Sequence, residues 1–174
     1  MTSSIFQIAP KIYGLFSATS LAPWFSTPWQ GEQNKETEKS TSSVIIGGYG
    51  PLGQHLASKL EQSGISYQVI ELNPDTVKTQ QADNKPIIFG DISNKQVLNS
   101  LNLQSVSVFA ITHPDTKSSR VSIAIAIKLS KKLMIIARTP TERDHNMLIK
   151  AGANKVIIDE NASAQEMYQV ISNL

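Results

Sequence analysis

A glycine-rich turn constrains the fold of this 174-residue chain more than any other feature of its sequence. Three apolar residues at 44–46 predict a short buried strand, and three glycines follow it in the order G-x-G-x-x-G, at Gly48, Gly50 and Gly53. The first glycine allows a tight turn, the second lets a ligand approach the backbone, and the third lets a helix pack close to the strand. The turn therefore predicts a strand that leads directly into a helix.

The residues after the glycine turn complete a β-α-β unit. Pro51 suits the first turn of a helix, where its missing N–H leaves no hydrogen bond unmade, and apolar spacing extends that helix to Ser63. A second strand, at residues 67–71, ends in Glu71, close to the spacing of roughly 20 residues at which an acid hydrogen-bonds a ribose. The unit therefore predicts binding of NAD or an adenosine nucleotide, and the charge of Glu71 disfavours the additional phosphate of NADP.

The composition excludes several other kinds of site. Because the chain contains no cysteine, it has no disulfide, thiolate metal site or cysteine nucleophile. Its net charge of +2 comes without a cluster of basic residues, which argues against a nucleic-acid partner. The three histidines, His55, His113 and His145, are far apart in sequence, and no metal site is predicted.

Changes in composition divide the chain into three parts. Residues 1–29 form an apolar leader, residues 30–42 a polar linker, and residues 43–174 the predicted folded domain. Residues 12–31 carry no charge and include two tryptophans. The leader is therefore interpreted either as a membrane-helix remnant inserted at a membrane or as a non-globular, loosely packed segment, and composition alone leaves both interpretations open.

Strands and helices are predicted to alternate through the rest of the domain. Further strands are expected at residues 87–89, 106–111, 133–137 and 155–158, and further helices at 74–81, 93–100, 118–130, 141–152 and 163–172. Asn73, Ser93 and Thr141 are predicted to cap three of these helices. The pattern is typical of an α/β Rossmann fold, a doubly wound six-stranded parallel sheet of order 3-2-1-4-5-6, whose ligand lies above strands one and four.

The segment at residues 118–130 has a mixed pattern. Its isoleucines alternate as in a strand, but two parallel strands require a crossover between them, and a helix is therefore predicted. Because this helix is apolar on most of its sides, it is expected to pack against the sheet and also against a second copy of the chain. The chain is accordingly expected to form a homodimer.

Four segments of the domain occur together in a known family. They are GYGPLG at 48–53, ELNPD at 71–75, FGDIS at 89–93 and IKAGANKVI at 149–157. With these segments, residues 43–174 resemble the TrkA-N module, also called the RCK or KTN N-terminal domain, which regulates potassium channels and potassium transporters. The resemblance implies a regulatory domain rather than an enzyme.

The resemblance also implies a set of ligand contacts at the carboxyl ends of the strands. The glycine turn would bind the phosphates of NAD(H), AMP, ADP or ATP, Glu71 would hold the ribose, and Asp91 and Ile92 would lie beside the adenine. Thr112 and His113, after strand four, would close the ligand mouth. Arg138 would reach a phosphate or an anionic regulator, or it would form a surface ion pair instead. The complete implied set is Gly48, Tyr49, Gly50, Pro51, Leu52, Gly53, Glu71, Asp91, Ile92, Thr112, His113 and Arg138.

The leader resembles the last membrane helix of monovalent cation:proton antiporters, such as the glutathione-gated potassium efflux systems. The implied partner is the membrane domain of a potassium channel or cation:proton antiporter, and the implied location is the cytoplasm at the inner face of the cell membrane. The chain would then be a fragment or a split version of such an antiporter. Many family members carry a second, smaller lobe after this domain, and a chain without it is expected of the efflux-antiporter branch.

Two other functions are compatible with the same fold. An NAD-dependent oxidoreductase needs a proton donor beside the nicotinamide, but no tyrosine is followed by a lysine four positions later, and His113 is the one candidate acid at the mouth. An interaction domain that has lost its ligand is the other alternative, and the intact glycines and Glu71 argue against it.

Overall fold

A parallel sheet forms the centre of the domain in the computed structural model, which describes residues 43–173. Within these residues, six strands pair in the order β3-β2-β1-β4-β5-β6 and every pair is parallel, so the predicted Rossmann fold and strand order are confirmed. The strands are β1 (Val44–Gly47), β2 (Tyr67–Glu71), β3 (Ile87–Phe89), β4 (Val108–Ile111), β5 (Met134–Thr139) and β6 (Lys155–Ile158). The predicted leader and linker, residues 1–42, lie outside the described residues.

Helices pack on both faces of this sheet, and the last helix of the described residues is the exception, with no buried residue. In the described part of the chain they are α1 (Pro51–Gln62), α2 (Pro74–Ala82), α3 (Lys95–Asn99), α4 (Thr116–Leu129), α5 (Glu142–Ala151) and α6 (Asp159–Ser172). One core cluster contains Ala57 of α1 and Val77 of α2, packed over β1 to β3. A second cluster contains Leu98, Ile123 and Leu148 from α3, α4 and α5, and successive residues of β1 point into the two clusters alternately. None of the helices in residues 43–173 is long and apolar enough to cross a membrane.

Two predicted helix starts are wrong, and in each case the observed capping side chain explains where the helix begins. The sequence predicts Ser93 as the cap of the third helix, but Asn94 forms the cap. Its Oδ1 accepts a hydrogen bond from the second backbone N–H of α3 at 2.8 Å. The fourth helix begins at Thr116, earlier than predicted, because Asp115 accepts a hydrogen bond from Ser118 N at 2.9 Å. The cap at Asp115 lengthens α4 by two residues without changing its type.

Other predicted element limits are also corrected. β4 begins at Val108 instead of residue 106, β5 occupies Met134–Thr139 instead of 133–137, and α6 begins at Asp159 instead of 163. Asn73 caps α2 as predicted, since its Oδ1 accepts hydrogen bonds from two backbone N–H groups. Thr141 occupies the predicted N-cap position of α5, but its side chain forms no capping hydrogen bond.

The ambiguous segment at residues 118–130 is a helix, as predicted. It buries Ile123 and Ala126 against the sheet, together with Ser119 and Ser122. The two serine hydroxyls are satisfied inside the helix, because Ser119 Oγ donates to Asp115 O at 2.9 Å and Ser122 Oγ donates to the carbonyl four residues earlier at 2.7 Å. The buried face of α4 can therefore include polar residues without an unpaired donor.

Candidate functional site

The predicted site residues come together at the carboxyl edge of the sheet. Because all six strands in the described residues are parallel, their carboxyl ends lie at one edge, where Gly48, Glu71 and Asp91 follow or end β1, β2 and β3. Thr112 follows β4, and Arg138 lies near the end of β5. β1 and β4 are neighbours whose following helices pack on opposite faces, so this edge contains the topological switch point of the fold.

The first and third glycines of the turn are required by the fold itself. Gly48 has a φ of +106°, and a Cβ atom there would lie 3.2 Å from Thr112 Oγ1. A Cβ atom at Gly53 would collide with the carbonyl oxygen of Gly48. Thr112 Oγ1 donates to that same carbonyl at 2.8 Å, which closes the turn against β4. These positions hold the start of α1 close to the strand, as the sequence predicts.

The second glycine differs from the other two. Gly50 has a φ of −67°, which any residue can adopt, and a Cβ atom built there meets no atom of the described chain within 4 Å. Its position is the N-cap of the 12-residue helix α1, where no side chain caps the free backbone N–H groups. The helix start, including the exposed Pro51 and Leu52, therefore faces open space with unpaired donors and the positive end of the helix dipole.

Glu71 is held by two backbone hydrogen bonds. Its Oε2 accepts from Tyr49 N at 2.6 Å, and its Oε1 accepts from Asn73 N at 2.7 Å. The carboxylate thus connects the glycine turn to the turn before α2, a structural role that sequence spacing did not indicate. Because an ionised carboxylate has about four lone-pair positions, two of them remain for ribose hydroxyls.

Several predicted site residues use their side chains inside the protein. Tyr49 is buried in the core cluster beside α1, and Ile92 is buried in the cluster on the opposite face. Thr112 is buried with its hydroxyl bonded to the glycine turn, and Asp91 Oδ1 accepts from both Ser93 N and Ser93 Oγ at 2.7 Å. Tyr49, Ile92 and Thr112 therefore offer a ligand mainly their backbone atoms, whereas Asp91 keeps a second carboxylate oxygen.

His113 carries an unpaired donor at the site. Its Nδ1 accepts a hydrogen bond from Asp115 N at 3.2 Å, so the neutral ring carries its proton on Nε2. That Nε2 is buried and has no partner among the described residues. Burial lowers the pKa of His113 below 6.5, and Arg138 acts in the same direction, while Asp115, Asp91 and Glu71 oppose the shift. The ring is therefore a neutral hydrogen-bond donor at neutral pH.

Arg138 is tied to the last helix. Its Nη2 lies 2.8 Å from Asp159 Oδ2, and its Nε is buried without a partner in the described part of the chain. Sequence reasoning did not identify Asp159 as the partner of Arg138. The strand register could have indicated it, because Arg138 of β5 pairs with Ile157 of β6, and Asp159 follows shortly after Ile157. The side chain is therefore held at the carboxyl edge by one ion pair and keeps an unused N–H.

The fold and the carboxyl-edge turn define a Rossmann domain of the nucleotide-binding type. The model of the TrkA-N domain family matches residues 44–159, and the chain belongs to that family. The resemblance seen in the sequence is therefore confirmed.

Relatives of this chain include membrane transport proteins. A putative K(+) efflux antiporter KefB from Alkalimonas amylolytica is 28% identical over 114 residues, which are 66% of this chain and 17% of that protein. Another relative, the putative cation/proton antiporter YbaL of Escherichia coli, is 24% identical over 74% of this chain and 23% of its own length. The chain thus spans about a fifth of the length of these curated relatives.

Solved structures share the fold at low sequence identity. The TrkA-N domain of inner membrane protein ybaL from Escherichia coli has a TM-score of 0.69 at 23% identity, covering 77% of this chain and 98% of that one. The Kef CTD of Shewanella denitrificans in AMP-bound form has a TM-score of 0.63 at 21% identity, covering 72% and 76%. The GsuK channel bound to NAD has a TM-score of 0.60 at 19% identity, covering 86% and 27%.

Proposed function

We propose that this domain is a nucleotide-sensing regulatory module that binds NAD(H) or an adenine nucleotide and controls a potassium channel or a potassium:proton antiporter. The ligand's phosphates lie against the start of α1, and its ribose binds Glu71. The module acts on the cytoplasmic side of the membrane and performs no chemistry on its ligand. Family membership, antiporter relatives and nucleotide-bound neighbours of the same fold support this proposal.

The observation that carries the proposal is the open space at Gly50. Gly48 and Gly53 are explained by the fold, but neither the backbone conformation nor internal packing requires a glycine at position 50. A glycine that the protein does not need for itself is explained by a ligand that approaches its backbone. The uncapped N–H groups of α1 and the helix dipole favour an anion at the same place.

The remaining donors and acceptors fit the rest of such a ligand. Glu71 retains lone pairs for the two ribose hydroxyls and would repel a 2′-phosphate, which favours NAD over NADP. His113 Nε2 and Arg138 Nε are two buried N–H groups that need acceptors, and a phosphate oxygen supplies them. Both groups would bind the ligand as hydrogen-bond donors without transferring a proton, which agrees with a sensor that performs no chemistry.

A regulatory module acts through differential binding. A nucleotide can shift the gate of a transporter only by the difference between its affinities for the two states of the module. We assign those states to two arrangements of a homodimer joined to the membrane domain of its partner. The sequence-based assignment of the pairing surface to residues 118–130 stays a prediction.

The proposal is tested by calorimetric titration of the full 174-residue chain with NAD+, NADH, AMP, ADP and ATP, repeated on two glycine variants. Gly50→Ala places a methyl group in the open space, so we expect at least about tenfold weaker binding, which is 1.4 kcal/mol, with the unfolding free energy changed by less than about 1 kcal/mol. Gly53→Ala is the matched comparison, and we expect it to destabilise the fold because its Cβ meets the Gly48 carbonyl.

The pattern of the two variants decides the result. Tight binding of one nucleotide that Gly50→Ala weakens without unfolding supports the sensor. Absence of binding by all five nucleotides overturns the proposal in favour of an interaction domain. Equal affinity of the wild-type chain and Gly50→Ala shows that the ligand lies elsewhere.

A further inference from the structure

Charge is divided between the two edges of the sheet. At the amino edge, where the strands begin, the last turns of α1, α4 and α5 contain Lys59, Lys128 and Lys150. At the carboxyl edge, the first turns of α2, α5 and α6 contain acids, which are Asp75, Glu142, Asp144, Asp159 and Glu160. The helix dipole favours acids at helix starts and lysines at helix ends, so these residues alone indicate no partner.

Three further lysines at the amino edge lie outside the helices, where the dipole does not account for them. Lys131 and Lys132 lie in the turn between α4 and β5, and Lys155 is the first residue of β6. All three are exposed, as are the two lysines in the last turns of α4 and α5. Together these five residues form the lysine cluster: Lys128, Lys131, Lys132, Lys150 and Lys155.

The fold brings the two segments of the lysine cluster together. A Cβ atom at Gly152 would collide with Ile127, so the ends of α4 and α5 are in contact. Asn154 N donates to Ile135 O at 2.8 Å, and Asn154 Oδ1 accepts from Ile135 N at 2.7 Å, which joins the turn before β6 to β5. The cluster is therefore a product of the fold, and the sequence does not show it as a continuous basic run.

No acid of the described residues forms an ion pair with the lysine cluster. The segments 128–134 and 150–156 contain three and two lysines and no aspartate or glutamate. In residues 43–173 the two ion pairs are Lys85–Glu61 and Arg138–Asp159, and neither includes a cluster lysine. Unpaired like charges repel one another and destabilise the folded state, so their concentration at one edge is explained by an anionic partner.

The chain enters the domain at the same edge. Ser43 O accepts from Ser107 N at 3.0 Å, and Ser43 Oγ donates to Ser105 O at 3.0 Å, beside the amino end of β4. The polar linker predicted at residues 30–42 is therefore joined to the amino edge. A leader inserted in a membrane, which stays a prediction, would tether the domain to the bilayer at this edge.

We propose that the lysine cluster docks the domain onto the anionic headgroups of a lipid bilayer, with the amino edge against the membrane. Lysine favours this occupant, because its hydrated ammonium attracts phosphate headgroups as a point charge. Arginine, which binds phosphate in a fixed geometry, is absent from segments 128–134 and 150–156. A basic surface of this kind is attracted to an anionic leaflet without a shaped pocket.

The docking goes beyond the proposed function and does not require nucleotide binding. The start of α1 lies at the edge opposite the lysine cluster, so a docked domain keeps its candidate nucleotide site facing away from the bilayer. The nucleotide titration contains no lipid and the vesicle experiment contains no nucleotide. The two proposals therefore fail separately.

Fluorescence quenching by lipid headgroups tests the docking in the full chain. The sequence contains no cysteine, so Gln104→Cys introduces a single thiol at the amino edge, and Gln96→Cys introduces one at the start of α3, at the carboxyl edge. Both glutamines are exposed. Each variant is labelled with a thiol-reactive fluorophore and added at low ionic strength to vesicles of phosphatidylcholine and phosphatidylglycerol that contain a lipid with a quenching headgroup. We expect stronger quenching at position 104 than at position 96.

Lysine substitutions show whether the cluster causes this difference. In Lys131→Gln/Lys132→Gln we expect the difference in quenching between positions 104 and 96 to be lost. Lys95→Gln/Lys117→Gln is the matched control, because it removes the same charge from exposed lysines at the starts of α3 and α4, and it should keep the difference. Vesicles of phosphatidylcholine alone, and high salt, should abolish the difference in the wild-type background.

The other outcomes overturn the docking. Equal quenching at the two positions, or stronger quenching at position 96, excludes the amino edge as the membrane-facing edge. A difference that survives Lys131→Gln/Lys132→Gln shows that the leader alone orients the domain, and equal losses in the two double variants show attraction by net charge only. If inorganic phosphate reduces the quenching more than sodium chloride of equal ionic strength, the cluster is a site for free phosphate. Binding of polyglutamate without quenching on vesicles assigns it to an acidic protein segment.

Discussion

The imidazole of His113 makes the stability of the domain depend on pH. Burial lowers its pKa in the folded chain below the ordinary value of 6.5, so the unfolded chain binds a proton more readily. As the pH falls from about 6.5 to the lowered pKa, the unfolded state gains a proton that the folded state does not, and stability decreases over this window. Above it both states are neutral, and the full stability is present. We therefore expect His113→Gln to flatten this decrease.

The measurement is urea unfolding of the wild-type chain and His113→Gln at several pH values between about 7.5 and 5. His55→Gln is the control, because the ring of His55 is exposed, and its pH dependence should match that of the wild-type chain. Asp115, whose pKa is lowered from 3.8 by hydrogen bonds from Ser118, contributes only in a more acidic range. An unchanged slope in His113→Gln would contradict the assignment.

Sequence reasoning placed the candidate site residues at the carboxyl ends of the strands, but it did not indicate how their side chains are used. It placed Glu71 at the end of β2 from spacing alone, and that position is correct. It could not show that the carboxylate binds Tyr49 N and Asn73 N, because that depends on the three-dimensional path of two turns. For the same reason it treated Tyr49 and Ile92 as ligand residues without separating their buried side chains from their backbone.

Among the helices, the ends of α1 and α5 provide a paired test of how glycine terminates them. Gly64 has a φ of +66° with open space where a Cβ would be, whereas Gly152 has a φ of +110° and its Cβ would meet Ile127. Gly64→Ala is expected to lose about 1 kcal/mol from backbone strain. Gly152→Ala is expected to lose about 1 to 3 kcal/mol more, because overpacking adds to the strain.

Urea unfolding of both variants checks this difference, with the slope of the transition showing whether the folded state remains compact. Equal losses of stability would show that Ile127 moves aside and that backbone strain alone accounts for the loss in Gly152→Ala. The predicted limits of these two helices, Ser63 and residue 152, lie next to or at these glycines, whose αL position favours one residue type. The starts of α3 and α4 were less predictable. Serine, asparagine and aspartate are all competent caps, so the sequence does not distinguish Ser93 from Asn94 for α3 or single out Asp115 for α4.

For the whole domain, the order of the six described strands followed from the alternation of apolar segments and from the rules for parallel crossovers. The exposure of α6 did not follow, because its helical spacing of Met167, Tyr168 and Ile171 is the pattern of a helix packed on its own sheet. The missing loop between β6 and Asp159 decides where the helix points. Periodicity identifies an apolar face but does not identify the molecule that covers it.

Nucleotide binding is expected to stabilise the domain as a unit. The candidate site contains residues at the ends of β1 to β5, and unfolding separates these residues from one another. A ligand that binds only the folded chain adds about 2.7 kcal/mol at 100 times its Kd, which raises the melting temperature by several degrees. The rise should continue with the logarithm of ligand concentration.

Thermal unfolding with increasing NAD+ and AMP measures this rise at fixed protein concentration, so that dimerisation contributes equally to each sample. Gly50→Ala is expected to keep the fold and to lose the proposed phosphate contact, so its melting temperature should respond much less. An equal rise in both chains would place the stabilising ligand away from the start of α1.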